Sequence, residues 1–520
     1  MTRPATEPRE SVVHLLDEAA RTAPDRLALV CGPDRLSYAE VAGAVTALAA
    51  DLVARGIGGG HRVAMLMGNS ADAAVAMFAV QSAGAQVVPL NPAYTTAELR
   101  PILADAAPSL IIHDADRAGL VRTAAPHVAR RPVGPGSRLI GAQKAEGGLT
   151  LPPSDALSTL QYTGGTTGRA KGVNLTHKAV AINVAQRQVL VPALDGEAVL
   201  AVTPLFHVYA TAMGLYLSAA VRGTLHLAQK FAPGPLLQTI ARERIGFLSA
   251  SPTAFLGFMR DECFASTDFS ALRVASSGSA ALPVKTLKRW EEVTGCPICE
   301  GYGQTEAGPV LTYNAIDGPR QPGTVGRAVP GTVVEIVDLD TGTRQCPPGE
   351  PGEIRARGPQ IMSGYRNAPE QTAKTLRDGW LYTGDIGTLC EDGVLSIVDR
   401  KKELVISAGY NIYPREVEEV LFAHPGVADA AVIGIPDAYR GEALLAAVVP
   451  SDPGLDELSL RDAVAQHLTK YKWPREYRFL EALPKTAIGK TDKVSLRMKL
   501  ASEAHEDGSR GSDTAKEETN

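Results

Sequence analysis

Two hydrophobic rhythms alternate along the first ninety residues of the chain. Over residues 11–23, Val12, Val13, Leu15, Leu16 and Ala19 recur at helical spacing, with Asp17 and Glu18 between them. A short apolar strand is predicted over 27–30, then a turn at Gly32-Pro33-Asp34. Helical spacing returns over 38–55 and stops at Gly56, a residue suited to a helix C-terminus. Residues 62–67 read as a strand, 71–84 as a helix and 85–90 as an apolar strand. Strand and helix in turn argue for a parallel sheet covered by helices. After a stretch rich in Gly, Pro and charge over 130–153, read as loop, the alternation resumes through 199–202, 213–220, 224–227, 236–244 and 247–249. Two similar halves follow from this, without a clear sequence repeat.

Farther on, Gly323-Thr324-Val325-Gly326, Gly352-Glu353-Ile354 and Gly364-Tyr365 punctuate short β runs and predict a compact β subdomain. From Val405 the pattern changes to a smaller α+β unit, with a helix over 414–422, strands over 428–433 and 443–449, and a helix over 460–469. The expected fold is therefore α/β. A large N-terminal domain, 1–400, contains two helix-covered sheets and the β subdomain, and a small α+β C-terminal domain occupies 401–500. Residues 501–520 are acidic, rich in Ser, Gly and Lys and free of aromatics, which predicts a disordered tail.

Composition narrows the function classes. A chain of 520 residues that is 45% hydrophobic and 21% charged is ordinary globular material, long enough for more than one core. A net charge of -5 provides no chain-wide basic field, so nucleic acid and anionic membrane surfaces are excluded as main partners and a small-molecule ligand fits better. The six cysteines, Cys31, Cys263, Cys296, Cys299, Cys346 and Cys390, are too sparse for a disulfide framework. Cys296 and Cys299 form a C-x-x-C, but without a second pair they read as structural residues of a buried strand. The first eleven residues lack a signal-peptide core, and the longest apolar runs are too short to span a bilayer. The expectation is a soluble, cytoplasmic protein with no transmembrane segment.

The densest candidate chemistry is Tyr162-Thr163-Gly164-Gly165-Thr166-Thr167-Gly168-Arg169-Ala170-Lys171-Gly172. Its four glycines let the backbone approach a ligand, and its threonines and Lys171 supply hydroxyl donors and a cation, a set suited to phosphate. A flexible turn is the alternative reading. Extended patterns on both sides place this loop between two strands, whereas a P-loop leads into a helix. The P-loop order is reversed here, and around Gly489-Lys490-Thr491 the required first glycine is replaced by Pro484.

This stretch resembles the phosphate-loop signature of the adenylate-forming superfamily: acyl- and aryl-CoA synthetases, luciferases and peptide-synthetase adenylation domains. Further signatures of the family occur in its order from about residue 11 to residue 500. By that resemblance Thr163, Gly164, Gly165, Thr166, Thr167, Gly168 and Lys171 hold ATP phosphates, and Gly278, Ser279 and Ala280 let the adenine approach the backbone. Glu300-Gly301-Tyr302-Gly303-Gln304-Thr305-Glu306 resembles the most recognisable family motif: Tyr302 packs on adenine, Thr305 contacts phosphate and Glu306 holds Mg²⁺, with Glu300, Gly301 and Gly303 part of the same nucleotide site. Hard carboxylate oxygen suits that cation. Asp385 accepts from the ribose hydroxyls, Arg400 reaches ribose or phosphate, and Asn411 belongs to the nucleotide side. His207 borders the reaction centre. Phe206, Tyr209, Gly303, Pro309 and Val310 form the acyl pocket, although Phe206 is equally at home in a core.

In the same resemblance the C-terminal domain is a mobile lid. Lys402 is its hinge, Lys490 is the catalytic lysine it carries into the active site, and Lys230, Ser407, Ala408 and Gly409 meet CoA. The implied function is an AMP-forming acid-thiol ligase that activates a carboxylic acid with ATP and Mg²⁺ and passes it to CoA. Catalytic roles fall to Lys490, His207, Thr305 and Glu306. The subgroup evidence divides: Pro-Leu-Phe-His-Val-Tyr and Lys230 fit coumarate-type ligases, while Ile406 and Ala408 resemble fatty acyl ligases. The alternative is an adenylating enzyme with another acceptor, a carrier-protein thiol or an amine, or one that activates an oxyanion such as nitrite. A homodimer and a separate carrier protein are left open as partners.

Overall fold

The computed structural model describes residues 9–141, 147–163, 170–407, 410–437, 439–486 and 490–500. The expected disordered tail, 501–520, lies outside them. The chain divides into two compact units, one of Met1–Thr383 and Thr388–Ser396, the other of Gly384–Gly387 and Ile397–Asn520.

The first unit is mixed α/β and contains two large sheets. In the seven-stranded sheet, Leu157–Thr163, Gln86–Leu90, Arg62–Leu66, Leu110–Asp114 and Ala129–Val133 run parallel, with antiparallel Lys171–Thr176 and Gly364–Tyr365 at one edge. The nine-stranded sheet has a parallel run of Leu27–Cys31, Thr224–Leu227, Ala198–Ala201, Phe247–Ala250, Val274–Ser277 and Ile298–Tyr302. The helix Ala71–Ser82 is buried along its whole length, as suits a helix enclosed within the core that both sheets help to build. Helix starts are fixed locally. At Tyr38–Ala54, Glu40 Oε2 accepts from Ser37 N at 2.8 Å while Ser37 Oγ accepts from Glu40 N at 3.3 Å, a reciprocal cap.

Three features depart from the sequence reading. The stretch read as loop over 130–153 begins with the edge strand Ala129–Val133, whose exposed Ala129, Arg130 and Pro132 hide it from a hydrophobic pattern and whose only buried side chain is Val133. Leu27–Cys31, with its antiparallel neighbour Asp34–Ser37, does not join the sheet that holds the later strands Arg62–Leu66 and Gln86–Leu90. It pairs with Thr224–Leu227, so the two sheets are interleaved along the chain rather than built from successive halves. The element expected over 213–220 begins earlier, at Val208 with His207 as its N-cap, and passes through the π-helical turn Thr211–Tyr216.

The β subdomain is a five-stranded sheet ordered Val333–Val337, Gly352–Arg357, Trp380–Leu389, Leu376–Arg377, with Leu395–Arg400 also paired to Trp380–Leu389. In the second unit, Gly441–Pro450 lies between antiparallel Val427–Asp437 on one side and Val405–Ser407 and the parallel strand Glu476–Phe479 on the other. The helices Pro414–Ala423 and Glu457–His467 bury Val417, Leu421, Leu460 and Val464 in a core shared with these strands. Among the described residues no helix is long and apolar enough to cross a membrane.

Candidate active site

The two ends of the phosphate-type stretch lie on neighbouring antiparallel strands. Thr163 is paired with Lys171 across the antiparallel strands Leu157–Thr163 and Lys171–Thr176, while Gly164, Gly165, Thr166, Thr167 and Gly168 lie outside the described residues. Two anchors hold the hairpin. Tyr162 donates its hydroxyl to Asp105 Oδ2 at 2.5 Å, and Asp105 also accepts from Asn367 Nδ2 at 3.0 Å. Burial, with the adjacent carboxylate adding to it, pushes the Tyr162 phenol well up, so it stays a donor. Gln161 Nε2 donates to the Phe206 carbonyl at 2.8 Å, tying this hairpin to an acyl-pocket candidate.

Nucleotide candidates gather at the carboxyl ends of neighbouring parallel strands, the place where open α/β sheets bind ligands. Ser277, the last residue of Val274–Ser277, stands beside Glu300 on Ile298–Tyr302, so Gly278, Ser279 and Ala280 leave one strand where Gly301, Tyr302 and Gly303 leave the next. Glu300 is buried and its Oε1 accepts from Leu282 N at 3.0 Å, which ties the two connections together. Ser279 holds φ at 74°, a left-handed conformation that is costly outside glycine and keeps the turn tight. Thr305 opens a short 3-10 turn that carries Glu306 inward.

Glu306 is buried, and its Oε1 accepts the Tyr365 hydroxyl at 2.7 Å. Tyr365 belongs to the edge strand beside Lys171–Thr176, and Lys171 Nζ lies 4.6 Å from the centre of its ring. One aromatic side chain thus brings the hairpin cation and the candidate metal carboxylate together. Burial first, and the Glu306 charge second, push the Tyr365 phenol far above its usual value, so it remains protonated and donates. Among the described residues no group of three or more His, Cys, Asp or Glu side chains could hold a cation unaided. A single carboxylate fits Mg²⁺, which keeps several waters and shares phosphate oxygens.

The acyl-pocket candidates pack against the nucleotide connection. Tyr209 lies against Gly278, where an added Cβ would sit 2.8 Å from its ring. His207 Nδ1 accepts from Tyr209 N at 3.3 Å, which leaves the proton of the neutral ring on Nε2. Val310 is clasped by Asn183, whose Nδ2 donates to its carbonyl at 2.8 Å and whose Oδ1 accepts from its amide at 3.0 Å. Gly303 is required by close approach, since a Cβ there would lie 2.0 Å from the Pro309 carbonyl oxygen. Gly303→Ala is therefore expected to displace the Pro309-Val310 segment and to cost at least about 1–3 kcal/mol by overpacking, read as a lower urea midpoint together with loss of acid-dependent pyrophosphate release. Unchanged stability and turnover would show that the segment is free to move.

Lys230 is exposed beside Phe231, whose ring packs edge-on against Phe258 at 5.2 Å. In the second unit, Asp385 and Arg400 approach to 3.7 Å. Thr486 N donates to the Lys490 carbonyl at 2.7 Å, and the Lys490 amide donates to Thr486 Oγ1 at 3.2 Å. Burial, with the Arg400 cation adding and the Asp385 carboxylate opposing, lowers the Lys490 ammonium to about 8, so these three candidates share one electrostatic environment. Asn411 is exposed and pairs with Ile406 across the Val405–Ser407 and Tyr410–Ile412 strands, Ser407 is buried at the end of the first, and Ala408 and Gly409 lie outside the described residues. Lys402 is exposed in a turn closed by Glu403 N donating to Arg400 O at 2.9 Å. Cys296 and Cys299 are free, buried thiols pushed up to about 12 by burial, inert packing residues.

Sequence reading missed Tyr365, Asp105 and Asn69. Asn69 Oδ1 accepts from Leu205 N at 2.7 Å and its Nδ2 donates to Ala228 O at 2.8 Å, which steadies the segment that leads to His207. Gly364-Tyr365 was visible only as β punctuation, and nothing local marks the tyrosine as a partner of Glu306.

Comparison with known proteins bears on the whole chain. The family model described as AMP-binding enzyme matches residues 16–366, and that described as AMP-binding enzyme C-terminal domain matches 416–490. A long-chain-fatty-acid–CoA ligase of Bacillus subtilis is 35% identical, covering 96% of this chain and 95% of its own length. A feruloyl-CoA synthase of Amycolatopsis is 36% identical over 92% of this chain and 97% of its own. Among solved structures, ATP-bound MatB from Rhodopseudomonas palustris superposes with a TM-score of 0.87 at 33% identity, covering 94% of this chain and 98% of that one.

Proposed function

The chain belongs to the AMP-binding enzyme family, within the adenylate-forming superfamily, and from that premise we propose that it is an AMP-forming ligase that joins a carboxylic acid to CoA. The observation that carries this reading is the meeting of Lys171, Tyr365 and Glu306 beside the strand ends that bear Gly278–Ala280 and Gly301–Gly303. A cation, a protonated phenol and a carboxylate suited to Mg²⁺ there form a site for a polyphosphate rather than for a neutral ligand.

A carboxylate repels nucleophiles, and conversion to a mixed anhydride with AMP removes that charge and installs a leaving group. In the first step an oxygen of the acid attacks the α-phosphorus of ATP, the α–β phosphoanhydride bond breaks and pyrophosphate leaves. Lys171 and Thr163 position the phosphates, Tyr302 covers the adenine, and Lys490 offers its positive charge to the acyl and α-phosphate oxygens. Mg²⁺ on Glu306 would neutralise charge on the departing pyrophosphate. The second step requires a thiol at the acyl carbon, with AMP as leaving group. We assign residues 1–400 to the acyl and nucleotide sites and 401–500 to a lid that turns about Lys402 to admit the thiol. The relatives named as CoA ligases support CoA over an amine or a carrier thiol, and nothing in the site favours nitrite.

A panel of aryl and alkyl acids with ATP, with and without CoA, read by pyrophosphate and product mass, tests the assignment. CoA that never stimulates turnover would transfer the activity to another acceptor. Lys230 is proposed to meet CoA phosphate. Because it is exposed and screened, Lys230→Glu should raise the KM for CoA several-fold, roughly threefold to tenfold. The effect should shrink at high salt and leave acid-dependent pyrophosphate release unchanged. A KM indifferent to the charge reversal would remove Lys230 from the thiol path.

A further inference from the structure

The helix Thr96–Ala106 ends where three distant parts of the chain meet. The last carbonyls of a helix lack intrahelical partners and carry its negative pole, and here guanidiniums take them. Arg366 Nε donates to Asp105 O at 2.7 Å, Arg62 Nε donates to Ala106 O, and Arg62 Nη2 donates to Ala107 O at 3.3 Å. The Asp105 carboxylate completes the junction. Its Oδ2 accepts the Tyr162 hydroxyl at 2.5 Å and its Oδ1 accepts from Asn367 Nδ2 at 3.0 Å. The same carboxylate favours the Arg62 cation, which the like charge of Arg366 opposes.

Both grips of Asp105 lead to the phosphate side of the site. Tyr162 pairs with Gly172 across the strands Leu157–Thr163 and Lys171–Thr176, and a Cβ added at Gly172 would lie 3.1 Å from the Tyr162 ring. Holding the phenol end of that ring therefore holds the strand end that carries Lys171. On the other side, Tyr365 pairs with Val173, and Arg366 N donates to Gly172 O at 2.8 Å. Asn367 follows with φ at 50°, a left-handed conformation that its side-chain bond to Asp105 secures. The exit of the short strand Gly364–Tyr365 is thus fixed at the same carboxylate. Lys171 Nζ and the Tyr365 ring, 4.6 Å apart, share one support.

We propose that Asp105 is a positioning residue for the β- and γ-phosphates of ATP. It sets Lys171 and Tyr365, and through the Tyr365 hydroxyl the Glu306 carboxylate, at the spacing a triphosphate requires, by holding them rather than by touching the ligand. This rests on the ligase reading, in which Lys171 and Glu306 serve the pyrophosphate that leaves. Small displacements of such groups are costly because a preorganised site works only at its own geometry. AMP lacks the two outer phosphates. Loss of the Asp105 junction should therefore weaken the binding of ATP and spare that of AMP.

The test measures the dissociation constants of ATP and of AMP for the full-length enzyme by calorimetry, with Mg²⁺ and without an acid substrate. Asp105→Ala should raise the ATP constant by roughly tenfold and leave the AMP constant within about twofold of the wild-type value, the loss expected when a charge-assisted hydrogen bond is broken. Tyr162→Phe deletes one hydroxyl and keeps the ring beside Gly172. It should raise the ratio of the two constants by about threefold or more, and it decides the proposal even if Asp105→Ala fails to fold. Asp105→Asn can donate to the Tyr162 oxygen and accept from Asn367, so it should recover most of the ATP affinity lost in Asp105→Ala. A ratio that stays at its wild-type value in Tyr162→Phe overturns the proposal. Equal weakening of both nucleotides overturns it too, since the junction would then support the fold as a whole. A wild-type enzyme that binds neither nucleotide would remove the ligase reading itself, and the proposal with it.

Discussion

Lys490→Ala is expected to reduce acid-dependent pyrophosphate release by about a hundredfold to a thousandfold, the usual consequence of deleting one preorganised donor from a site where negative charge develops. Thioester formation from synthetic acyl-AMP and CoA should survive, because in that half-reaction charge leaves the α-phosphate. Equal loss in both assays would deny Lys490 its role in the first step. The lowered ammonium value adds a pH signature. A lysine that titrates at about 8 is cationic below that pH and neutral above it, so the first step should slow as pH rises through 8. Lys490→Arg keeps its charge throughout and should lose that limb of the profile, whatever its absolute rate.

Lys402→Pro is expected to separate the two half-reactions in the opposite sense. The turn after Arg400 is closed by Glu403 N and Leu404 N, both donating to Arg400 O, at 2.9 and 3.2 Å. Proline fixes φ at one value, and forcing it through a different conformation costs about 3 kcal/mol or more, equivalent to roughly a hundredfold in rate. Pyrophosphate release in a single turnover should persist while thioester output falls by about that factor. Matched losses in the two would mean that rotation after Lys402 plays no part in thiol transfer.

Much of this was legible in the chain because local rules are strong where the fold is regular. The α/β class followed from strands and helices whose apolar spacing is unambiguous, such as Tyr38–Ala54 and Gln86–Leu90. The hairpin that carries Lys171 was legible too, from extended patterns on both sides of the glycines. Ala129–Val133 was not, because an edge strand exposing Ala129, Arg130 and Pro132 has no period-two signal. Interleaving of the sheets is a pairing between distant segments, and no periodicity reports a partner. The same holds for Tyr365 with Glu306, Asp105 with Tyr162 and Asn69 with Ala228, each a polar contact across 57 to 159 residues of chain.

The strand Leu27–Cys31 also sets a timetable for biosynthesis. Its parallel partner is Thr224–Leu227, and just before the two strands Arg26 Nη1 donates to the Arg222 carbonyl across a separation of 196 residues. At synthesis rates of about 5–20 residues per second, the first strand waits on the order of 10–40 s after leaving the ribosome before its neighbour exists. During that interval its unpaired edge is masked on one side only, by the antiparallel segment Asp34–Ser37. A nascent chain of this protein therefore carries an adhesive β edge until more than two fifths of it has been made. Slowing elongation between these two strands should lower the soluble yield, even when every residue of the finished enzyme is unchanged.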